Sequence, residues 1–316
     1  MVVFYHFQML DFSFEPNVFY VPNFNKIIQL TFAAGIPLFF MVNGALTINN
    51  KITFKKVIHK VSRLLFIAIF WTIILRCGVI GILFKRGQPN SIMSFLYNYW
   101  FLISLAYVYI LNYLIQILPK WIGYLMVFAI FAMTFFNNFI WDIILFNNPD
   151  HVLPRWGHTG FFTLYGIVYS RIGAYLKHTK LSFPICILLI ILGLALNIFK
   201  TIAMTNHDGA VFDGVNASFP TIGALLLGVG LFCLLKDVKE PFWSSQLIKT
   251  VGINSCGIYI FHLVFVYFIR NQIITHFNLH TLPILCVLLL ALFTTLLCTF
   301  ISELILRSPG KVLLKL

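Results

Sequence analysis

The sequence predicts an all-α protein, a multi-pass bundle of helices that cross a membrane. Of its 316 residues, 60% are hydrophobic and only 10% are charged, and the mean hydropathy is +0.93. A soluble protein has about 25% charged residues, so this chain cannot cover a surface that faces water. Its apolar runs continue for about 20 residues, as transmembrane helices require, whereas the strands of a membrane barrel alternate over about ten.

The apolar runs predict a short opening segment and nine full spans. Residues 1–10 form a mostly apolar run around His6. As a helix they would span only about 15 Å, half the thickness of the hydrocarbon core of a bilayer. We expect them to be the outer part of a truncated first helix, which makes about ten transmembrane helices. The full spans are expected near 25–48, 63–84, 97–118, 122–140, 160–176, 183–203, 219–235, 251–270 and 283–306. Residues 1–316 are then a single membrane-embedded domain, with no soluble domain.

The placement of lysine and arginine predicts the orientation of the chain. One set of loops holds 15 of the 22 basic residues, and short loops rich in Lys and Arg stay in the cytoplasm. The C-terminus is therefore expected in the cytoplasm and the loop 11–24 outside the cell membrane. The net charge of +13 follows from this topology, so no nucleic-acid partner is expected. The basic residues of the cytoplasmic set are Lys51, Lys55, Lys56, Lys60, Arg63, Lys120, Arg171, Lys177, Lys180, Lys236, Lys239, Lys249, Arg307, Lys311 and Lys315.

Six stretches in order along the chain share one resemblance. They are PLFFMVNGAL (37–46), FKKVIHKVSRLLFIAIFWTII (54–74), NYWFLISLAYVYILNYLIQILP (98–119), FTLYGIVYSRIG (162–173), SCGIYIFHL (255–263) and ISELILRSPGKVLLKL (301–316). Each resembles a stretch of membrane-bound acyltransferase family 3, the multi-spanning O-acyltransferases that modify O-antigen, capsule and other envelope glycans. The resemblance implies transfer of an acyl group, expected to be acetyl, from acyl-CoA to a hydroxyl of an envelope polysaccharide or its lipid-linked precursor.

The stretch VVFYHF (2–7) resembles the end of the family's first helix, where an Arg precedes the catalytic His by eleven positions. His6 matches the His, but the Arg would lie before Met1. We therefore expect a late-start or N-terminally truncated member, or one that has lost the pair. The resemblance makes His6 the expected catalytic base, a role suited to a side chain that titrates near neutrality. Without the resemblance, a histidine that only hydrogen-bonds a neighbouring backbone remains an alternative.

The basic stretch before the span 63–84 is the expected contact for acyl-CoA. Lys60 and Arg63, with Lys56 nearby, are matched to the phosphate oxygens of this co-substrate. The alternative is that they only fix the topology, as other positive-inside residues do. No bound cofactor is expected. No metal is expected either, since no cluster of His, Cys and acidic residues has ligand spacing.

Four further residues are candidate substrate or structural contacts. Asn43 stands where the family usually has Ser before Gly44, and its amide can donate and accept hydrogen bonds. His262 is expected near the midplane of its span, with Tyr259 three residues earlier on the same face. Arg76 lies more than halfway across its span, where it must face the bundle interior or a cavity, or snorkel outward.

The predicted outer loops and the glycine-rich stretch GALLLGVG (223–230) leave other functions open. Aromatic and carboxylate side chains in the outer loops suit a sugar, but they are equally typical of interfacial belts. These residues are Trp141, Asp142, Asp150, Trp156, Asp208 and Asp213. The rival functions are a transporter or flippase for a lipid-linked glycan, for which the glycines could loosen a helix, and a non-catalytic remnant. The expected partners are acyl-CoA, an envelope glycan and the lipid bilayer.

Overall fold

The computed structural model describes most of the chain and is all-helical. It covers residues 1–7, 18–48, 53–75, 99–140, 164–208, 211–213, 215, 219–238, 245–269 and 281–314. Helices account for 85% of the structure, and no strand occurs among these residues. The predicted all-α class is confirmed.

Twelve α-helices are seen in the described ranges. They are α1 (Val2–Phe7), α2 (Phe24–Thr31), α3 (Gly35–Thr47), α4 (Phe54–Trp71), α5 (Trp100–Ile117), α6 (Lys120–Phe131), α7 (Tyr165–Leu176), α8 (Phe183–Asp208), α9 (Ile222–Leu235), α10 (Ser245–Ile253), α11 (Ser255–Phe268) and α12 (Ile284–Arg307). A 3₁₀ turn, Phe32–Ala34, joins α2 to α3, a π-helix, Ala132–Phe136, follows α6, and a second 3₁₀ turn, Pro309–Leu313, follows α12.

Six helical segments are long and apolar enough to cross a membrane. They are Phe24–Thr47, Phe54–Leu75, Trp100–Ile117, Lys120–Ile140, Phe183–Asn206 and Ile284–Arg307. The pair α10 and α11 supplies a seventh if the two count as one span. The membrane class is confirmed, whereas the described residues give six to seven candidate spans and not the expected ten.

The first strongly basic segment is helical and not a loop. We expected the second full span to begin at residue 63, but α4 begins at Phe54 and already contains Lys56 and Lys60. Hydrophobicity alone missed these turns because Lys and Arg can cover apolar surface with their methylene stems while their charges remain in water. The basic residues of 54–63 therefore have a fixed helical spacing.

Counting charges grouped Lys26 and Lys200 with the outer loops, at the ends of the predicted spans 25–48 and 183–203, but both are buried within helices. Lys26 lies in α2 and Lys200 in α8, with exposures of 2% and 5%. The Lys26 ammonium donates to Gln29 Oε1 at 2.9 Å and to the carbonyl oxygen of Phe212 at 2.7 Å. Hydropathy counts only the charge of each lysine. The partners lie on segments that the fold brings together, so hydropathy alone could not indicate that these lysines are buried.

The expected single span at 251–270 is broken near its start. The axes of α10 and α11 differ by 77°, with Asn254 between them. The Asn254 side chain donates to the carbonyl oxygen of Thr250 and to Glu303 Oε2, each over 2.9 Å. These bonds satisfy one backbone carbonyl group and one carboxylate group at the bend. The break between the two helices is therefore stabilised by specific hydrogen bonds.

Contacts divide the chain into two compact units, each described by itself. The first contains Met1–Asp11, His59–Ala106 and Lys239–Leu316. In this unit α1 packs against α11 and α12, and α11 packs against α12. The two long helices approach closely at Gly257, where an added Cβ would overlap the Ser302 side chain.

The second unit contains Phe12–Ile58 and Tyr107–Val238. Here α3 packs against α7 and α9, and α8 packs against α9. A Cβ added to Gly193 would lie 2.5 Å from the backbone nitrogen of Leu227, and one added to Gly230 would lie 2.7 Å from the carbonyl oxygen of Cys186. Glycines permit this close helix contact. The suggestion that GALLLGVG loosens a helix is wrong, because α9 is continuous through it.

Candidate active site

The candidate site is built along α11 in the first unit. This helix begins after Asn254, which makes no side-chain cap, and it has no Gly after its first turn and no Pro. Cys256, Tyr259 and His262 follow at intervals of three residues. With a rise of about 1.5 Å per residue, about 9 Å of helix axis separates Cys256 from His262. His6 lies beside His262, and Arg63 lies within electrostatic range of Cys256.

The structure brings His6 and His262 together. Their ring centroids are 5.1 Å apart with an interplanar angle of 45°. They come from opposite ends of the sequence, and the packing of α1 against α11 makes the contact possible. His6 is half-buried, whereas the His262 side chain is only 1% exposed. Among the described residues, no third His, Cys or acid completes a cluster able to hold a metal ion.

The hydrogen bond of His262 defines its tautomer. Its Nδ1 lies 3.0 Å from the carbonyl oxygen of Ile258, one helical turn earlier. A carbonyl oxygen only accepts, so Nδ1 carries the proton and donates it. In the neutral ring Nε2 is then an acceptor. Nε2 is buried and has no hydrogen-bond partner in the described part of the chain.

Aromatic rings surround this pair. The ring of Tyr259 is 5.9 Å from that of His262, and the ring of Tyr5 is 5.2 Å from that of His6. Sequence reasoning missed Tyr99 and Phe101, whose rings lie 6.3 Å and 5.5 Å from Tyr259. The signal that could have indicated them is the aromatic run YNYWF at 97–101. These rings form an aromatic cluster on the Tyr259 side of the pair.

The predicted phosphate contacts lie on α4. Lys56, Lys60 and Arg63 are spaced by four and three residues, so they share one helix face. Arg63 is close enough to the Cys256 thiol to interact electrostatically. Its Nε is buried and has no hydrogen-bond partner among the described residues. The Arg63 guanidinium group therefore lies within electrostatic range of the first turn of α11.

Asn43 belongs to the second unit and lies in a polar contact between helices. Its Nδ2 donates to the Tyr109 hydroxyl over 2.8 Å. Nearby in sequence on α5, Asn112 accepts from Arg171 Nε at 2.8 Å and donates to Ser170 Oγ at 3.0 Å. We had placed Arg171 in a cytoplasmic loop, but it lies in α7 and pairs with α5. Counting charges could not indicate that Arg171 lies in a helix, because the count takes no account of the hydrogen-bond partners that Asn112 supplies.

Several predicted residues lie outside the described ranges. Arg76 is among them, as are Trp141, Asp142, Asp150 and Trp156 of the expected sugar platform. The site is therefore defined by two parts of the first unit: the histidine pair beside α11, and Arg63, which lies within electrostatic range of the first turn of that helix.

This arrangement supplies two of the groups that acyl transfer requires. An imidazole can accept a proton from a hydroxyl, and a cation beside a helix N-terminus can hold a phosphate. No curated protein and no solved structure matches the chain. A family model described as an acyltransferase domain matches residues 1–303. The chain therefore belongs to membrane-bound acyltransferase family 3 and is an acyltransferase.

Proposed function

We propose that the enzyme transfers an acyl group, acetyl by preference, from acyl-CoA to a hydroxyl of a cell-envelope polysaccharide or of its lipid-linked precursor. One observation carries this proposal: His6 lies beside His262 on α11, and Arg63 lies within electrostatic range of the first turn of the same helix, about 9 Å from His262 along the axis. Acyl-CoA has phosphates at one end and a thioester at the other, joined by a flexible arm. A cation and a base beside one helix suit these two ends.

The donor's phosphates bind at the basic face of α4. Arg63 offers a planar fork of donors and Lys60 a point charge, and Lys56 stands one turn earlier on the same face. The N-terminus of α11 adds the positive end of a helix dipole.

His6 is the general base in this proposal. One of its ring nitrogens accepts the proton of the acceptor hydroxyl while the hydroxyl oxygen attacks the thioester carbonyl carbon. The tetrahedral intermediate collapses as the C–S bond breaks. The thiolate of CoA leaves and takes the proton back from His6, so the products are the ester and CoA. The surrounding aromatic rings limit the access of water, which would otherwise hydrolyse the thioester.

The direction of transfer follows from the distribution of basic residues. Loops rich in Lys and Arg favour the cytoplasm, so the C-terminus lies there and the enzyme resides in the plasma or inner membrane. Acyl-CoA then enters from the cytoplasmic side, where the N-terminal half of α4 stands. The glycan approaches His6 from the outer side.

The rival function is transport of a lipid-linked glycan, and the bend between α10 and α11 is the observation that favours it, since discontinuous helices form transporter sites. However, α10 is short and amphipathic, with Lys249 and exposed Leu247 and Ile248. Such a helix is typical of a membrane interface. The family match also favours acyl transfer.

The experiment compares membranes that contain the wild-type enzyme, His6→Ala or His59→Ala. Transfer of radiolabel from acetyl-CoA to the glycan fraction is measured together with CoA release. Loss of a general base lowers the rate by about 10²- to 10⁴-fold, so His6→Ala should be nearly inactive. His59 is an exposed histidine on α4, and its variant should match the wild type. Full activity of His6→Ala would remove His6 from the mechanism, and an inactive wild type would favour the remnant.

A further inference from the structure

We propose that His262 is a positioning residue for His6: its Nε2 accepts an N–H from the His6 ring and so fixes the tautomer and orientation of the base. This rests on the proposed role of His6 in acyl transfer. His262 itself touches no reacting atom in this scheme. It acts only through the histidine beside it.

The first step is that His262 is fixed as an acceptor. Its Nδ1–H is committed to the carbonyl oxygen of Ile258 at 3.0 Å. That bond lies within one helix, so it moves only if α11 moves. The lone pair of the neutral ring is therefore held at Nε2, on the other side of the ring.

The second step is that this acceptor is buried and has no partner in the described structure. The side chain is 1% exposed, and Nε2 forms no hydrogen bond among the described residues. A buried polar atom without a partner costs about 1–3 kcal/mol, so most such atoms are paired. The exceptions deserve a functional explanation, and here a donor ring is adjacent.

The third step is distance. An N–H···N hydrogen bond of about 2.9 Å between two imidazoles places their centroids about 5 Å apart when the bond lies near the line between the centres. The centroids of His6 and His262 are 5.1 Å apart at 45°. The separation between the two rings therefore suits such a bond.

The chemical consequence is a chain of three groups. The Ile258 carbonyl orients His262, His262 orients His6, and His6 faces the acceptor hydroxyl with its other nitrogen. The same logic operates in triads where a third group holds the base in one tautomer. When His6 takes the hydroxyl proton, the resulting cation keeps its N–H···Nε2 bond to His262. That bond is charge-assisted and stronger than the neutral one, so it favours the transition state.

Two variants separate this role from simple packing. His262→Phe keeps an aromatic ring but removes the acceptor, whereas His262→Gln places an amide oxygen close to the position of Nε2. We expect His262→Phe to lower kcat about 100-fold or more while KM for acetyl-CoA changes less than about twofold. His262→Gln should retain at least about a tenth of wild-type kcat. A purely structural role would give no preference for the acceptor.

The second readout is independent of catalysis. Nitrogen NMR of the purified enzyme labelled at histidine, with His6 assigned by comparison with His6→Gln, reports which ring nitrogen of His6 carries the proton. We expect one tautomer in the wild type and in His262→Gln, and a mixture in His262→Phe. If His262→Phe does not fold, His262→Gln decides alone: a kcat below about a tenth of the wild type, or a mixture of His6 tautomers in this variant, would overturn the inference.

Three results would overturn the inference: unchanged kcat in folded His262→Phe, equal loss of kcat in the two variants, or an unchanged His6 tautomer in His262→Phe. These are distinguishable from failure of the proposed function. An active His6→Ala enzyme would exclude His6 as the base, but the NMR spectrum would still show whether the two rings are bonded.

Discussion

The carboxylate of Glu303 on α12 accepts a hydrogen bond over 2.9 Å from the side chain of Asn254, the residue at the bend between α10 and α11. Its other oxygen accepts from Arg307 Nε, also at 2.9 Å. Glu303 and Arg307, four residues apart on one helix, form an ion pair. Through its hydrogen bond with Asn254, Glu303 also links the pair to the start of α11, the helix that carries His262. The geometry of the site therefore depends on a contact about 50 residues away in sequence.

Asn254→Ala should weaken this bend. Asn254 is 1% exposed and donates two hydrogen bonds, to Thr250 and Glu303, so its removal should cost about 1–3 kcal/mol. The Tm of the purified enzyme in detergent measures the change. Arg307→Ala is the matched control, because the Arg307 side chain is 77% exposed and exposed ion pairs contribute little. Equal Tm losses in the two variants would contradict a specific role of the bend.

Arg63→Ala and Lys60→Ala should each raise KM for acetyl-CoA about tenfold and leave kcat nearly unchanged, because a phosphate contact acts on binding of the donor. Lys55→Ala is the control, since Lys55 is exposed on the same helix but on another face. S-acetylpantetheine has no nucleotide phosphates. With this donor the wild type and both variants should have equal rates. A remaining difference in rate would show that the effect of Lys60 and Arg63 does not depend on the phosphates of the donor.

Gly44→Ala should prevent correct packing of α3 against α7. A Cβ at Gly44 would overlap the backbone of Ser170, and backbone atoms cannot move aside as a side chain can. We expect a loss of more than about 3 kcal/mol, seen as a collapse of the yield of monodisperse enzyme in size-exclusion chromatography.

Gly252→Ala is the matched control for Gly44. Nothing lies within 4 Å of a Cβ at Gly252 in α10. Alanine is also the better helix former by about 1 kcal/mol, so this variant should be as stable as the wild type or more so. A normal yield for Gly44→Ala would show that the two helices can separate without loss of the fold.

Asn112→Ala should destabilise the second unit more than Asn43→Ala. Asn112 is buried and accepts from Arg171 through both its side chain and its backbone, so alanine leaves a guanidinium group with fewer partners. Hydrogen bonds to charged groups contribute about 1.5–3 kcal/mol, against about 1 kcal/mol for a neutral bond such as that of Asn43 with Tyr109. Urea or thermal unfolding in detergent would rank the two, and the reverse order would contradict this account.

How much the sequence predicted differs between the fold and the site. The all-α membrane class, the family and the positions of most helices followed from hydropathy and from the six ordered stretches. His6, Tyr259 and His262 were named from residue type and resemblance, and the roles assigned to them remain predictions. The errors fall where a charged residue has a partner: Lys26, Lys200 and Arg171 were grouped with the loops, yet each lies in a helix and has a polar partner or an aromatic contact in the fold.

By itself the sequence determined which segments avoid water, because the free energy of transfer of a segment depends on its own side chains. Only the tertiary structure decided that His6 adjoins His262 and that Arg63 lies within electrostatic range of the first turn of α11. About 250 residues separate the two histidines. A contact of that kind depends on the shape and packing of whole helices, which no local property of either segment encodes.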